Sequence, residues 1–331
     1  MVVSSTPAGE PGGPLREHGG TDALGVPCFD FSTNSNSCGP CPLAWAAVKQ
    51  ADVRDYPDAS YTELRAQLAA FHAVEPWRVL LAGSASEFIF RITGWVVQRG
   101  GRSVNLPRHA YGDYAQAALA WGLKSVPQPN DADLVWGCEP SSPLGGPHTN
   151  WPRGFSSPTV LDCAYAPLRL GGEPTLTEAQ RDQVWQLYTP NKALGLTGVR
   201  GAYVIAPQGA HNSTAALERL CPSWPLGAQG VALLQAWVQP EVQAWLASSL
   251  QTLREWKTRQ IAQLEALHWT VSPSQANFFC AQPPKALDVA ALRAAGIKVR
   301  DATSFGLPGQ VRVGVLSPEA QDALVSICAS N

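Results

Sequence analysis

The chain has 331 residues, 45% of them hydrophobic and 15% charged, and a net charge of −2. That is a globular composition with room for one or two cores, and its near-neutral charge gives no reason to expect a nucleic-acid or anionic-membrane partner. No stretch approaches the roughly 18 uninterrupted apolar residues of a membrane-crossing helix. Met1 to Pro14 is rich in Gly, Pro, Ser and Thr, with neither a basic nor an apolar leader region. It reads as a tail before an ordered start near Leu15, and a cytoplasmic location is expected. Eight scattered cysteines are too sparse for a disulfide framework.

Pro42 stands where a first-turn proline belongs, and Ala44, Ala47, Val48 and Ala51 follow at helical spacing. After a turn at Tyr56-Pro57-Asp58, Leu64, Leu68 and Phe71 predict a second helix from Tyr61 to Phe71. The pattern then changes to short apolar runs: Val79-Leu80-Leu81, Val104-Asn105-Leu106, Leu134-Val135-Trp136, Val160-Leu161, Trp185 to Tyr188 and Ala202 to Ile205. Continuous rather than alternating runs predict strands buried on both faces, as in a parallel or mostly parallel sheet. Helical stretches at Glu87 to Gln98 and Tyr111 to Trp121 complete an α/β pattern. Between Pro143 and Pro158, glycines and prolines leave no helical period, so a crossover helix there is expected to be short or absent.

Gln229 to Leu267 reads as one long helical stretch, through Leu233, Trp237, Val242, Trp245, Leu246, Leu250 and Leu253. The remainder reads as strand, helix, strand, helix: Phe278-Phe279, Ala286 to Ala295, Val311-Arg312-Val313 and Pro318 to Cys328. The expected division is a tail and arm over 1–42, a large α/β domain over 43–222 and a small α+β domain over 223–331.

In open α/β sheets a ligand sits off the carboxyl ends of the strands. After Leu81 come Gly83-Ser84-Ala85-Ser86-Glu87, small residues opening a helix and suited to a phosphate. After Leu161 comes Asp162-Cys163-Ala164-Tyr165; after Tyr188 come Thr189-Pro190-Asn191-Lys192 and a glycine loop ending in Arg200-Gly201. A carboxylate, a lysine, an arginine and a phosphate-type loop thus point at one crest. A buried Asp beside a pyridine nitrogen and an imine-forming lysine are the working parts of a pyridoxal phosphate site.

The segment Thr189 to Gly201 resembles the lysine segment of fold-type I pyridoxal-phosphate enzymes of the class I and II aminotransferase family, and Asp162-Cys163-Ala164-Tyr165 resembles their Asp-x-x-Tyr. The likeness runs from His18 onward and is greatest to the histidinol-phosphate aminotransferase and threonine-phosphate decarboxylase branch. It implies a mostly parallel large domain with a smaller α+β domain, pyridoxal 5′-phosphate as cofactor, no metal and a homodimer acting on a small amino acid or amine. By position, Lys192 would form the Schiff base and shuttle protons, Asp162 would pair with the ring nitrogen, and Tyr165 would bond O3′. Tyr111 would stack on the ring, and Ser84, Ala85, Ser86, Thr189 and Arg200 would hold the phosphate. Ser142 stands where the family's Asn-Pro-Asn-Asn-Pro-Thr-Gly has the asparagine that bonds O3′. Tyr56 would reach the neighbouring subunit's phosphate. Arg312 would take the substrate carboxylate, with Arg300, His18, Gly20 and Asn34 completing the substrate site.

His18-Gly19-Gly20, Asp30 to Asn36 and Cys221 to Leu226 are similar to threonine-phosphate decarboxylases of the cobalamin pathway. The expected activity is therefore of that kind, with histidinol-phosphate transamination as the alternative. A non-catalytic binding protein on this fold is a further reading. So is a dithiol oxidoreductase through Cys38-Gly39-Pro40-Cys41, which would need a lowered thiol pKa at a helix N-terminus.

Overall fold

The computed structural model describes residues 18–329, so the expected tail over Met1 to Pro14 lies outside the described residues. The chain enters through β1 (Phe29–Asp30) and continues as α1 (Pro42–Gln50) and α2 (Thr62–His72). Pro42 occupies the first turn of α1, where its missing N–H removes no helical bond. Helix α2 stops at Ala73, whose left-handed backbone (φ 51°) returns its N–H to the carbonyls of Ala69 and Ala70.

Strands and helices then alternate: β2 (Val79–Ala82), α3 (Ala85–Gln98), β3 (Ser103–Asn105), α4 (Gly112–Ala120), β4 (Lys124–Ser125) and β5 (Leu134–Cys138). Next come β6 (Thr159–Asp162), α5 (Glu178–Arg181), β7 (Trp185–Tyr188), β8 (Ala202–Ile205) and α6 (His211–Arg219). The strands form one sheet in the order β2-β8-β7-β6-β5-β3-β4. Strands β3 to β7 run parallel, while β8 is antiparallel to both its neighbours. Successive side chains face opposite ways and both faces are covered. Leu80, Val160 and Val204 join the apolar cluster under α3, α4 and α6. Leu81, Leu161 and Tyr203 join the cluster under α1, α2 and α7 (Ala228–Trp237). No helix separates β5 from β6, as the glycines and prolines of 143–158 imply.

The long helical stretch expected over Gln229 to Leu267 is two helices, not one. Helix α7 ends at Trp237, and α8 (Pro240–Ala266) starts on Pro240, which has no N–H to continue an α-helical ladder. Then follow β9 (Thr270–Val271), β10 (Phe278–Gln282), α9 (Val289–Ala294), β11 (Ile297–Lys298), β12 (Arg300–Asp301), β13 (Val311–Gly314) and α10 (Pro318–Ala329). Helix α9 is shorter than the expected Ala286 to Ala295, because the Asp288 carboxylate accepts from Ala291 N–H and caps it there. The second sheet, β12-β13-β10-β9, is antiparallel.

The arm is tied to this C-terminal part. Strand β1 pairs with β11, and Asp22 bridges Arg293 and Lys298. Among the described residues no helix is long and apolar enough to cross a membrane.

Candidate active site

A cavity of about 520 Å³ opens off the carboxyl ends of the parallel strands. Every expected site residue lines it except Tyr56 and Gly20. Gly20 lies just behind the wall, where its N–H donates to the Ser32 hydroxyl and its carbonyl accepts from Lys298. Tyr56 is 77% exposed and stacks on Trp224 at 4.5 Å.

One end of the cavity is built for an anion. Ser84 caps α3 by accepting from Glu87 N–H at 3.1 Å. The N–H groups of Ala85 and Ser86 open the helix with no intrahelical acceptor. Thr189 follows β7 directly, and its buried hydroxyl has no hydrogen-bond partner among the described residues. Arg200 lines the same cavity.

Asp162, the last residue of β6, is 4% exposed. It accepts from the Tyr114 hydroxyl at 2.5 Å and from Ala164 N–H at 2.8 Å. Burial pushes its carboxyl up, and Tyr114, the Ala164 N–H and the Lys192 charge pull it back. A cation beside it would favour the ionised form. Tyr114 is itself fixed by stacking on Trp136, with ring centroids 4.5 Å apart. The Tyr111 hydroxyl donates to Asp113 and meets Ser86, and burial pushes it up to about 12.

Lys192 follows β7 in a turn that holds itself in place. Asn191 donates to the carbonyls of Thr197 and Val199, and the Lys192 carbonyl accepts from the backbone of Asn36. Gly195 has φ +69°, and a Cβ there would meet Gly39 at 3.0 Å, so the arm and the lysine turn cross where only glycine fits. The Lys192 ammonium lies 5.6 Å from the centroid of Tyr165, whose hydroxyl accepts from Asn34 at 3.2 Å.

The other end carries two arginines. Arg312 on β13 and Arg300 on β12 are directly opposed across the ladder, 7% and 5% exposed. Arg312 donates to the Ser32 carbonyl at 2.9 Å and to the Ser142 hydroxyl at 3.4 Å, while its buried Nε has no partner among the described residues. Burial, with the Arg300 charge, pulls Arg312 below the usual arginine range, although Tyr165 acts the other way. His18 stands at the rim, its ring 6.4 Å from that of Tyr111.

Sequence reasoning missed Tyr114, Asp113 and Phe305, all on the cavity wall. A signal existed for Tyr114: it stands in the first turn of α4, three residues after Tyr111, which is that helix's N-cap residue. The dithiol reading is corrected here. Cys41 does precede α1, but it is fully buried, and burial pushes the Cys38 thiol up to about 11 rather than lowering it. All eight cysteines are free.

An anion-binding helix start, a Thr189 hydroxyl with no partner among the described residues and a buried carboxyl that a cation would keep ionised fit the phosphate and ring nitrogen of pyridoxal phosphate, with Lys192 beside them. Known proteins agree. The family model described as aminotransferase class I and II matches residues 153–327. Histidinol-phosphate aminotransferase 2 of Rhizobium meliloti (strain 1021) is 28% identical over 280 residues, covering 77% of this chain and 78% of its own. The Sinorhizobium meliloti histidinol-phosphate aminotransferase, solved in complex with pyridoxal-5′-phosphate, superposes with a TM-score of 0.74 at 20% identity over 90% and 89% of the two chains. L-threonine-O-3-phosphate decarboxylase from Porphyromonas gingivalis gives 0.74 at 18% identity over 91% and 98%.

Proposed function

This chain belongs to the class I and II aminotransferase family, a pyridoxal-5′-phosphate enzyme, and from that premise we propose that its substrate is an amino acid bearing both a carboxylate and a phosphate. The reaction is of the L-threonine-O-3-phosphate decarboxylase kind.

The observation that carries this reading is the buried Arg312 fork on the cavity wall, with Arg300 opposite it on the ladder. Two opposed, buried guanidiniums on one cavity wall repel one another. Arg312 makes its bonds to the neutral Ser32 carbonyl and Ser142 hydroxyl, and its buried Nε has no hydrogen-bond partner among the described residues. Burying such charge is costly unless an anion answers it, and a planar fork suits a carboxylate or a phosphate. A substrate carboxylate answers Arg312, and a second anionic group has His18, Asn34 and Arg300 on the same wall.

The cofactor, when bound, supplies an aldehyde for amine condensation and a ring that takes up electrons from a bond breaking at the substrate's Cα. The chain's own groups do the rest. The Ala85 and Ser86 N–H groups, the Thr189 hydroxyl and Arg200 would hold its phosphate. Asp162 would hold the ring nitrogen, Tyr165 and Ser142 would serve O3′, and Tyr111 would cover the ring. Lys192 is the amine that holds the cofactor and then carries a proton. Arg312 would anchor the carboxylate, with Arg300, His18 and Asn34 towards the phosphate.

Exposed Tyr56 and Trp224 support a homodimer in which Tyr56 serves the neighbouring site. The names of the curated relatives favour a second reading, transamination of histidinol phosphate, which offers a single anionic group. The test is incubation with each compound. Carbon dioxide released from L-threonine O-3-phosphate is the expected result. Amino transfer from histidinol phosphate without carbon dioxide from the other would overturn the proposal.

A further inference from the structure

The loop after β12 lines the cavity through Ser304 and Phe305, and one hydrogen bond ties it to the loop before α4. His109 Nδ1 lies 2.6 Å from the Phe305 carbonyl oxygen. A carbonyl only accepts, so Nδ1 carries the proton. His109 belongs to the same short loop as Tyr111 and lies outside the cavity wall. Phe305 ends a single 3-10 turn (Thr303–Phe305), after which Gly306 takes the left-handed conformation at φ +79°. A Cβ on Gly306 would meet the His109 ring at 3.4 Å. The turn is therefore shaped to present its carbonyl to His109.

The Phe305 ring has its own task. The guanidinium carbon of Arg300 lies 4.8 Å from its centroid and that of Arg312 lies 5.4 Å from it. One aromatic ring thus shares its negative π-density between two cations that oppose each other across the ladder. Arg300 is also bonded to Ser304 in the same turn, at 2.7 Å. Moving the turn would disturb both arginines together.

We propose that His109 is a specificity-determining positioning residue. By latching the Phe305 carbonyl it fixes the ring against Arg300 and Arg312, and so fixes how the Arg312 fork meets the substrate's anion. The identity of that anion rests on the function proposed above; the latch itself does not. His109 touches no reacting atom, so its loss acts on binding and leaves the chemical step alone.

The experiment compares holoenzyme carrying His109→Ala or His109→Asn with the parent protein. An asparagine amide can replace the Nδ1–H donor, so His109→Asn should restore what His109→Ala loses. Amide hydrogen exchange over 303–307 should accelerate in His109→Ala by about fivefold or more, the scale of one net hydrogen bond. The dissociation constant for inorganic phosphate, read by titration calorimetry, should rise by about fivefold. KM for L-threonine O-3-phosphate should rise similarly, with kcat within about twofold of the parent. Unchanged exchange overturns the latch. Faster exchange with unchanged phosphate binding overturns the role in anion recognition. If the parent protein does not turn over L-threonine O-3-phosphate, the proposed function fails, while exchange and phosphate binding still decide the role of His109.

Discussion

The Tyr114 hydroxyl donates to the Asp162 carboxylate at 2.5 Å, from a ring clamped against Trp136 beneath the cavity. That bond favours the ionised carboxylate against the upward push of burial. Tyr114→Phe removes it, and Asp162 shifts further towards the neutral acid, a poorer partner for a protonated ring nitrogen. A hydrogen bond to a charged group is worth about 1.5–3 kcal/mol, so cofactor affinity should fall by roughly 10- to 100-fold. Absorbance titration of the apoprotein with pyridoxal phosphate measures this, and equal affinity would show that Asp162 needs no such support.

Lys192 is the lysine on the cavity wall. Borohydride reduction of the holoprotein followed by peptide mapping should place the cofactor label there. Label on Lys257, which is buried against the Ser274 and Ala276 carbonyls, or on any other lysine would refute the assignment.

Arg312→Lys keeps the charge and loses the fork. Substrate binding should weaken by about 1.5–3 kcal/mol, read from KM or from the affinity of an unreactive analogue. His18→Ala should instead penalise phosphorylated substrates and spare their unphosphorylated analogues. Equal losses on both would show that His18 does not read the phosphate.

The exposed pair Tyr56 and Trp224 leads to an expected homodimer. Light scattering at micromolar protein should give twice the chain mass, and a fully active monomer would contradict it.

His72 predicts how stability responds to acid. It is packed among Tyr188 and Tyr203, with its Nε2 2.9 Å from the Tyr203 hydroxyl. Burial, then the Arg181 charge, lowers its pKa from 6.5 to about 4. Below pH 6.5 the unfolded chain takes up a proton that the folded one refuses until about pH 4. Stability should therefore fall across that window, by up to about 3 kcal/mol at the acid end. Urea unfolding at the two ends of the window should show the loss, and His72→Gln should flatten it.

The apolar runs of 79–205 determined the strands by themselves, because a strand covered on both faces must be apolar throughout and so stands out in the sequence. The strand-end residues Asp162, Thr189 and Lys192 were legible for the same reason: a polar residue directly after such a run has only the crest to face. Strands of two residues, such as β1, β11 and β12, left no pattern, since pairing partners and not periodicity create them. The sequence could not show that Arg300 would stand opposite Arg312, because register belongs to the ladder. Nor could it show that Phe305 would lie over both guanidiniums while its carbonyl meets His109. The His109–Phe305 contact joins residues nearly two hundred positions apart, and only the packed tertiary structure decides it.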